Sequence, residues 1–157
     1  GEGVTMLQHA LQTAALAAHE GADDALVIAA LLHDIGHFLQ PTDDSYGYHR
    51  HDQSGGQWLA RYFAPAVSEP VRLHVAAKRY LCATEPGYHA RLSQASIYTL
   101  AKQGGPMSAD ETKVFAANPH AEAAARLRRW DDGGKVEGIR VPAFADYRPL
   151  IEKLIRT

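Results

Sequence analysis

The stretch ALVIAALLHDIGH, residues 25–37, decides how this chain is read. From Ala25 to Leu32 every residue is apolar, and the run then meets His33 and Asp34 without a break. A helix that is apolar on all sides belongs at the centre of a protein. A carboxylate beside an imidazole at the end of such a helix is costly to bury unless something neutralises it. A single core histidine is most often satisfied by a hydrogen bond. An adjacent aspartate makes that reading much weaker, because a cation can neutralise the pair and a carboxylate can bridge two cations.

The flanking sequence is helical in pattern throughout. Residues 4–20 are rich in Ala and Leu and favour helix. Gly21 ends that stretch, Asp23 is placed to cap the next helix, and Gly36 marks its end. Residues 40–50, with Pro41 and Gly47, read as a loop. Helices are predicted at 52–63, 69–83 and 89–103. Gly104-Gly105-Pro106 is a break, and Ser108 caps a short helix. Asn118-Pro119 predicts an N-cap followed by proline at the first helical position, opening a helix to about Trp130. A loop over 132–142 and a helix over 143–155 close the chain. Strand signals are almost absent, so the expected fold is an all-α helical bundle, a single domain over residues 1–157.

Composition narrows the function. The chain has 157 residues, 46% of them apolar, enough for one core. A net charge of -2, without runs of like charge, gives no field that draws nucleic acid or acidic membranes. No apolar stretch reaches the roughly 18–20 residues of a membrane span. The lone cysteine, Cys82, cannot form an internal disulfide, which fits a cytoplasmic protein. The absence of an initiator Met suggests a trimmed start.

Nine histidines are present, and several interrupt apolar helical patterns. His9 shares a helical face with Ala10 and Thr13, His74 sits in the apolar stretch Val71–Ala77, and Asp131 follows Trp130 at the end of an amphipathic helix. His49 or His51 opens the helix after the loop. With His33 and Asp34 these supply four imidazoles and two carboxylates. Such a nitrogen and oxygen set suits iron, manganese or zinc and not calcium.

The order His…His-Asp…Asp, with further histidines between the pair and the last aspartate, resembles the HD-domain superfamily. The segments GEGVTMLQHALQTA, LLHDIGH, HDQSGGQWL, VRLHVAAKRYLCA, SIYTLAKQGGPMS and LRRWDDGGK resemble its small di-iron oxygenase branch. That branch includes myo-inositol oxygenase and the PhnZ/TmpB-type enzymes that cleave phosphonates. HVAAKRYLCA and LAKQGGPMS are the most specific of these segments, and the resemblance runs over nearly all of the chain. It implies an HD-domain bundle around a central dinuclear site with two Fe ions, Fe(II)/Fe(III), and O2 as co-substrate. His9, His33, Asp34 and Asp131 would ligate one iron, and Asp34 would bridge to a second held by His51 and His74. HDQSGGQWL matches the family's His-acidic helix start, which favours His51 over His49.

The same resemblance assigns substrate contacts. Lys78, one turn after His74, matches a family lysine. Ser96 and Thr99 share a helical face and offer hydroxyls. Arg128, three residues before Asp131, offers a guanidinium to phosphonate oxygens. His37, four residues after His33, matches a histidine that touches substrate. Taken alone, each of these residues also suits a surface or purely structural role. Lys135 matches a lysine of the inositol-oxygenase motif but equally suits a solvated loop. Glu2 matches the glutamate of a lid Tyr-x-x-Glu pair; the tyrosine would fall before Gly1, so the N-terminal lid is truncated or missing. The implied activity is O2-dependent cleavage of the C–P bond of a 1-hydroxyalkylphosphonate such as 2-amino-1-hydroxyethylphosphonate, giving phosphate and glycine, by a monomer or dimer. The trimethylammonio analogue and hydroxymethylphosphonate stay open as substrates. The metal ligands alone fit equally a two-metal phosphohydrolase acting on a nucleotide or other phosphate ester. A non-catalytic HD module would have lost some of the six residues.

Overall fold

The computed structural model describes residues 3–39 and 50–156. Eight α-helices make up the fold, with short 3-10 turns between them and no strand among the described residues: α1 Met6–His19, α2 Asp24–Leu32, α3 His51–Leu59, α4 Pro65–Thr84, α5 Gln94–Lys102, α6 Ala109–Ala117, α7 Ala121–Gly133 and α8 Arg148–Leu154.

Caps set the first two helices. Thr5 accepts from the Gln8 amide at 3.1 Å while the Gln8 side chain accepts from the Thr5 amide at 2.7 Å, a reciprocal box that opens α1. The Asp23 carboxylate accepts from the Leu26 amide at 2.9 Å and opens α2. As its composition demands, α2 is central, with Leu26 to Leu31 all buried. It is surrounded by α1, α4, α7 and α8. Ala14 and Ala17 of α1 and Ala29 and Ala30 of α2 are completely buried, and their small side chains let the two helices close on each other. Leu59, Phe63, Val67, Val71, Leu127 and Trp130 complete the main core. The longest helix, α4, packs on α2, α3, α6 and α7 and so ties the layers together.

Several boundaries differ from the sequence expectation, each for a local reason. α4 begins at Pro65 and not at 69, because proline at the first turn has no amide to satisfy. Pro70 then lies inside the helix, its ring fully buried, so packing outweighs the lost backbone bond. The expected helix 89–103 divides: a 3-10 turn spans His89–Arg91, and Ser93 caps α5 by accepting from the Ser96 amide at 3.2 Å. Asn118 does not cap α7. Its side chain accepts from the His120 amide at 2.8 Å in a tight turn, and the helix starts at Ala121. α7 also runs past Trp130 to Gly133, which puts Asp131 inside its last turn. α3 stops at Leu59, and the last predicted helix opens with a 3-10 turn, Phe144–Tyr147, before α8. No helix among the described residues is long and apolar enough to cross a membrane.

Two glycines allow the elements around the site to meet. A β-carbon on Gly36 would stand 2.0 Å from the His51 carbonyl oxygen, so only glycine lets the turn after Asp34 lie against the start of α3. A β-carbon on Gly56 would stand 2.7 Å from Cβ and 3.0 Å from Cα of Arg72, where α3 crosses α4. In an exposed helix Gly→Ala stabilises by about 0.5–1 kcal/mol. At Gly56 the collision with α4 reverses that sign. Gly56→Ala is expected to destabilise by about 1–3 kcal/mol, read as a Tm lower by several degrees in thermal unfolding followed by circular dichroism. An unchanged or higher Tm would show that the α3–α4 crossing yields easily.

Candidate metal centre

Three of the histidines are oriented by backbone carbonyls. His33, which caps the C-terminus of α2, bonds through Nδ1 to the Ala30 carbonyl at 2.7 Å. His74, in the middle of α4, bonds through Nδ1 to the Val71 carbonyl at 2.6 Å. His9, in α1, bonds through Nδ1 to the Gly134 carbonyl at 2.8 Å. A carbonyl can only accept, so each Nδ1 carries a proton, and whenever the ring is neutral its Nε2 presents a lone pair.

The Nε2 atoms converge. Nε2 of His9 and Nε2 of His33 are 3.2 Å apart, and Nε2 of His51 and Nε2 of His74 are 3.1 Å apart. Ring nitrogens at that distance need positive charge between them, either a proton carried by one ring or a metal ion. The carboxylates complete two groups. Asp131 Oδ1 is 2.9 Å from Nε2 of His9 and 3.4 Å from that of His33. Asp34 divides its oxygens: Oδ2 lies 3.6 Å and 3.4 Å from Nε2 of His9 and His33, while Oδ1 lies 3.3 Å and 4.0 Å from Nε2 of His51 and His74. Donors about 2.1 Å from one ion stand about 3–3.5 Å from one another, so most of these spacings match those within a coordination sphere. His37 adds a ring stacked on His51, with centroids 4.1 Å apart, and its Nε2 is 3.7 Å from Asp34 Oδ1.

The electrostatics show the same compression of charge. Burial opposes a proton on His33, yet Asp34 and Asp131 outweigh it and raise its pKa to about 9. Burial, with His51 and His33 close by, pushes His74 down to about 3. Although burial favours their neutral form, Asp131 is kept ionised by Arg128 and His33, and Asp34 chiefly by His33. Nitrogen and carboxylate donors in this proportion fit iron, manganese or zinc.

A cavity of about 220 Å³ opens onto the two groups. Lys78 lies in its wall, 2% exposed, and donates to the Thr99 hydroxyl at 2.8 Å and the Ser96 carbonyl at 3.3 Å. Burial and the neighbouring Arg128 guanidinium lower its pKa to about 7. Arg128 is also buried and donates to the Ser96 hydroxyl at 3.2 Å; against the cost of burial, Asp131 and Asp132 hold it protonated. His37, Ser96, Thr99 and Lys135 line the same space. Glu2 and His49 lie outside the described residues.

Some contributors were not singled out from the sequence. Gln103 lines the cavity and has a buried Oε1 with no hydrogen-bond partner among the described residues. The spacing of Ser96, Thr99 and Gln103 continues one helical face and could have pointed to it. Gln12 donates to the Val136 carbonyl at 2.7 Å and accepts from its amide at 2.9 Å, which anchors the segment that presents Gly134 to His9. Nothing in linear spacing links residues 12 and 136.

An all-helical fold that brings a His-Asp pair together with outlying histidines and a later aspartate defines a class. The chain matches the HD domain family model over residues 6–117. It is 40% identical over 99% of its length to the [1-hydroxy-2-(trimethylamino)ethyl]phosphonate dioxygenase (glycine-betaine-forming) of Leisingera caerulea, covering 81% of that protein. It is 45% identical over 98% of its length to the hydroxymethylphosphonate dioxygenase of Gimesia maris, covering 79%. An uncharacterized protein of Acanthamoeba polyphaga mimivirus is 33% identical over 96% of the chain, which covers 72% of it. The chain belongs to the HD domain family and, within it, to the branch of these phosphonate dioxygenases. The family match ends before Asp131, which the fold brings back to His9 and His33.

Lys78 has a pKa of about 7 in the fold and an ordinary value of 10.5. Its charge therefore destabilises the metal-free fold fully below about pH 7, and the penalty fades as the pH rises to about 10. Lys78→Met is expected to raise the Tm of metal-free protein at about pH 6, with the gain shrinking at about pH 9.5. A gain that grows with pH, or a loss of stability at about pH 6, would contradict this account of Lys78.

Proposed function

We propose that this protein is a di-iron dioxygenase that opens the C–P bond of a 1-hydroxyalkylphosphonate, with 2-amino-1-hydroxyethylphosphonate as the first candidate. The observation that carries the reading is one cavity in which two buried cations, Lys78 and Arg128, stand beside the paired His/Asp groups. A dianionic head group with a hydroxyl on the adjacent carbon has the matching charge and shape. The dioxygenases to which the chain is similar are named for two such compounds, one with a trimethylammonio substituent and one with none.

His9, His33, Asp34 and Asp131 would hold one iron, and His51 and His74 the second, with Asp34 shared. When bound, a mixed-valent Fe(II)/Fe(III) pair supplies the activation of O2 and the oxidation at C1. The residues of the chain orient the substrate. Lys78, the hydroxyls of Ser96 and Thr99, and Arg128 offset the phosphonate charge. His37, stacked on His51 and lining the cavity near Asp34, would contact the C1 hydroxyl. Glu2 is assigned to the substituent beyond C1. The reaction balances as R–CH(OH)–PO3H2 + O2 → R–COOH + H3PO4, so the carbon is oxidised and no reductant is consumed overall. The buried cations equally suit a phosphate ester, and the hydrolytic alternative is separated from the oxygenase by its indifference to O2.

The test uses protein loaded anaerobically with Fe(II) and given limited O2. The amino, trimethylammonio and unsubstituted hydroxyalkylphosphonates are offered in turn. Oxygen uptake equal to phosphate release with at least one of them is expected. Asp34→Ala is expected to abolish turnover and to lower bound iron, measured by elemental analysis. Lys78→Met is expected to retain iron while kcat/KM falls by about 100-fold or more. Phosphate-ester hydrolysis with Mn(II) and without O2, together with no turnover of any phosphonate, would sink the oxygenase reading.

A further inference from the structure

Arg128 stands between two adjacent carboxylates. It is three residues before Asp131 and four before Asp132, and both positions are neighbours on a helix. Its Nη1 is 3.1 Å from Asp131 Oδ2, the oxygen that Asp131 does not turn toward His9 and His33. Its Nε donates at 3.0 Å to Asp132 Oδ1, and its Nη2 reaches the same oxygen and the Ser96 hydroxyl. The second oxygen of Asp132 accepts from the Tyr88 hydroxyl, and Tyr88 is itself buried at 4% exposure. Tyr88 lies beyond the end of α4, so the relay pins α7 to another part of the chain.

We propose that Asp132 and Tyr88 are positioning residues that anchor the Arg128 guanidinium, so that it holds Asp131 to one oxygen toward the metal groups and keeps its remaining edge at the cavity. The inference rests on reading Asp131 as a metal ligand. Its physical basis is charge balance. With Asp132 present, the guanidinium divides its attraction between two carboxylates. Without it, Asp131 alone neutralises Arg128, and the cation competes with the metal for the same carboxylate. The Tyr88 hydroxyl fixes the carboxylate plane of Asp132 and therefore the plane of the guanidinium. A pair that only stapled α7 to its neighbour would change stability and leave metal and anion affinities alone.

The experiment compares wild-type, Asp132→Asn, Tyr88→Phe, Arg128→Gln and the double variant Arg128→Gln/Asp132→Asn. Each is loaded with Fe(II) under anaerobic conditions. Fe(II) affinity is measured by chelator competition, and inorganic phosphate affinity by calorimetry on the loaded protein. Asp132→Asn is expected to weaken Fe(II) binding by about 10–100-fold, the range for partners of metal ligands, and to weaken phosphate binding in parallel. Tyr88→Phe, which removes one oxygen and keeps the ring packed, is expected to shift both in the same direction by a smaller factor. In the Arg128→Gln background Asp132→Asn is expected to add almost nothing, because its effect passes through the guanidinium. Unchanged Fe(II) affinity in Asp132→Asn, or a full additive effect in the double variant, would overturn the proposal. Wild-type protein that takes up no Fe(II) would instead remove the metal-site reading beneath it, and the two failures are told apart by that control.

Discussion

The Asp34 carboxylate is the group around which the structure is organised. It sits where the most apolar helix ends, and it shares its two oxygens between two imidazole pairs. Three of the rings use Nδ1–H on a backbone carbonyl. Their Nε2 atoms then face one another and the two carboxylates, an arrangement that added positive charge, as protons or as metal ions, stabilises. The packing of α1, α4 and α7 around α2 then serves two ends, burial of the main core and delivery of one candidate ligand each, His9, His74 and Asp131, from three helices.

The cavity side of the centre follows the opposite rule. Lys78 and Arg128 are buried cations, and their mutual repulsion and desolvation oppose folding. Arg128 is offset by direct contacts with Asp131 and Asp132, whereas Lys78 donates its hydrogen bonds to an uncharged hydroxyl and carbonyl. A poorly compensated cation beside the His/Asp groups suits an anionic ligand, as the proposed function requires. This is the physical content of the phosphonate reading, and it holds whatever substituent the substrate carries.

The candidate metal-centre residues stood out in the sequence because most of them break a pattern. A histidine or aspartate in an apolar helical run carries a cost, and a cost repeated at His9, His33, Asp34 and His74 points to a common cause. The helix ends were less legible. Pro70 and Asn118 carry strong local signals, yet burial in the core outweighed the first and a side-chain turn diverted the second. Gln103 and the Tyr88–Asp132 pair did not stand out, because a glutamine near a helix end and a second aspartate beside a first are ordinary until their surroundings are known.

Sequence by itself determined the helical class, the central place of residues 25–34 and the residue types able to hold metal, because periodicity and the cost of burying charge act along the chain. Its motifs also carried the resemblance to the phosphonate-cleaving branch of the HD domain family. Only the tertiary structure decided which oxygen of Asp34 faces which imidazole pair, which ring nitrogens bond to backbone carbonyls, and that Arg128 lies between Asp131 and Asp132. Those facts depend on contacts between residues as far apart as His9 and Asp131, and on the close approach that Gly36 permits. Distances of that kind are set by packing, which spacing along the chain does not encode.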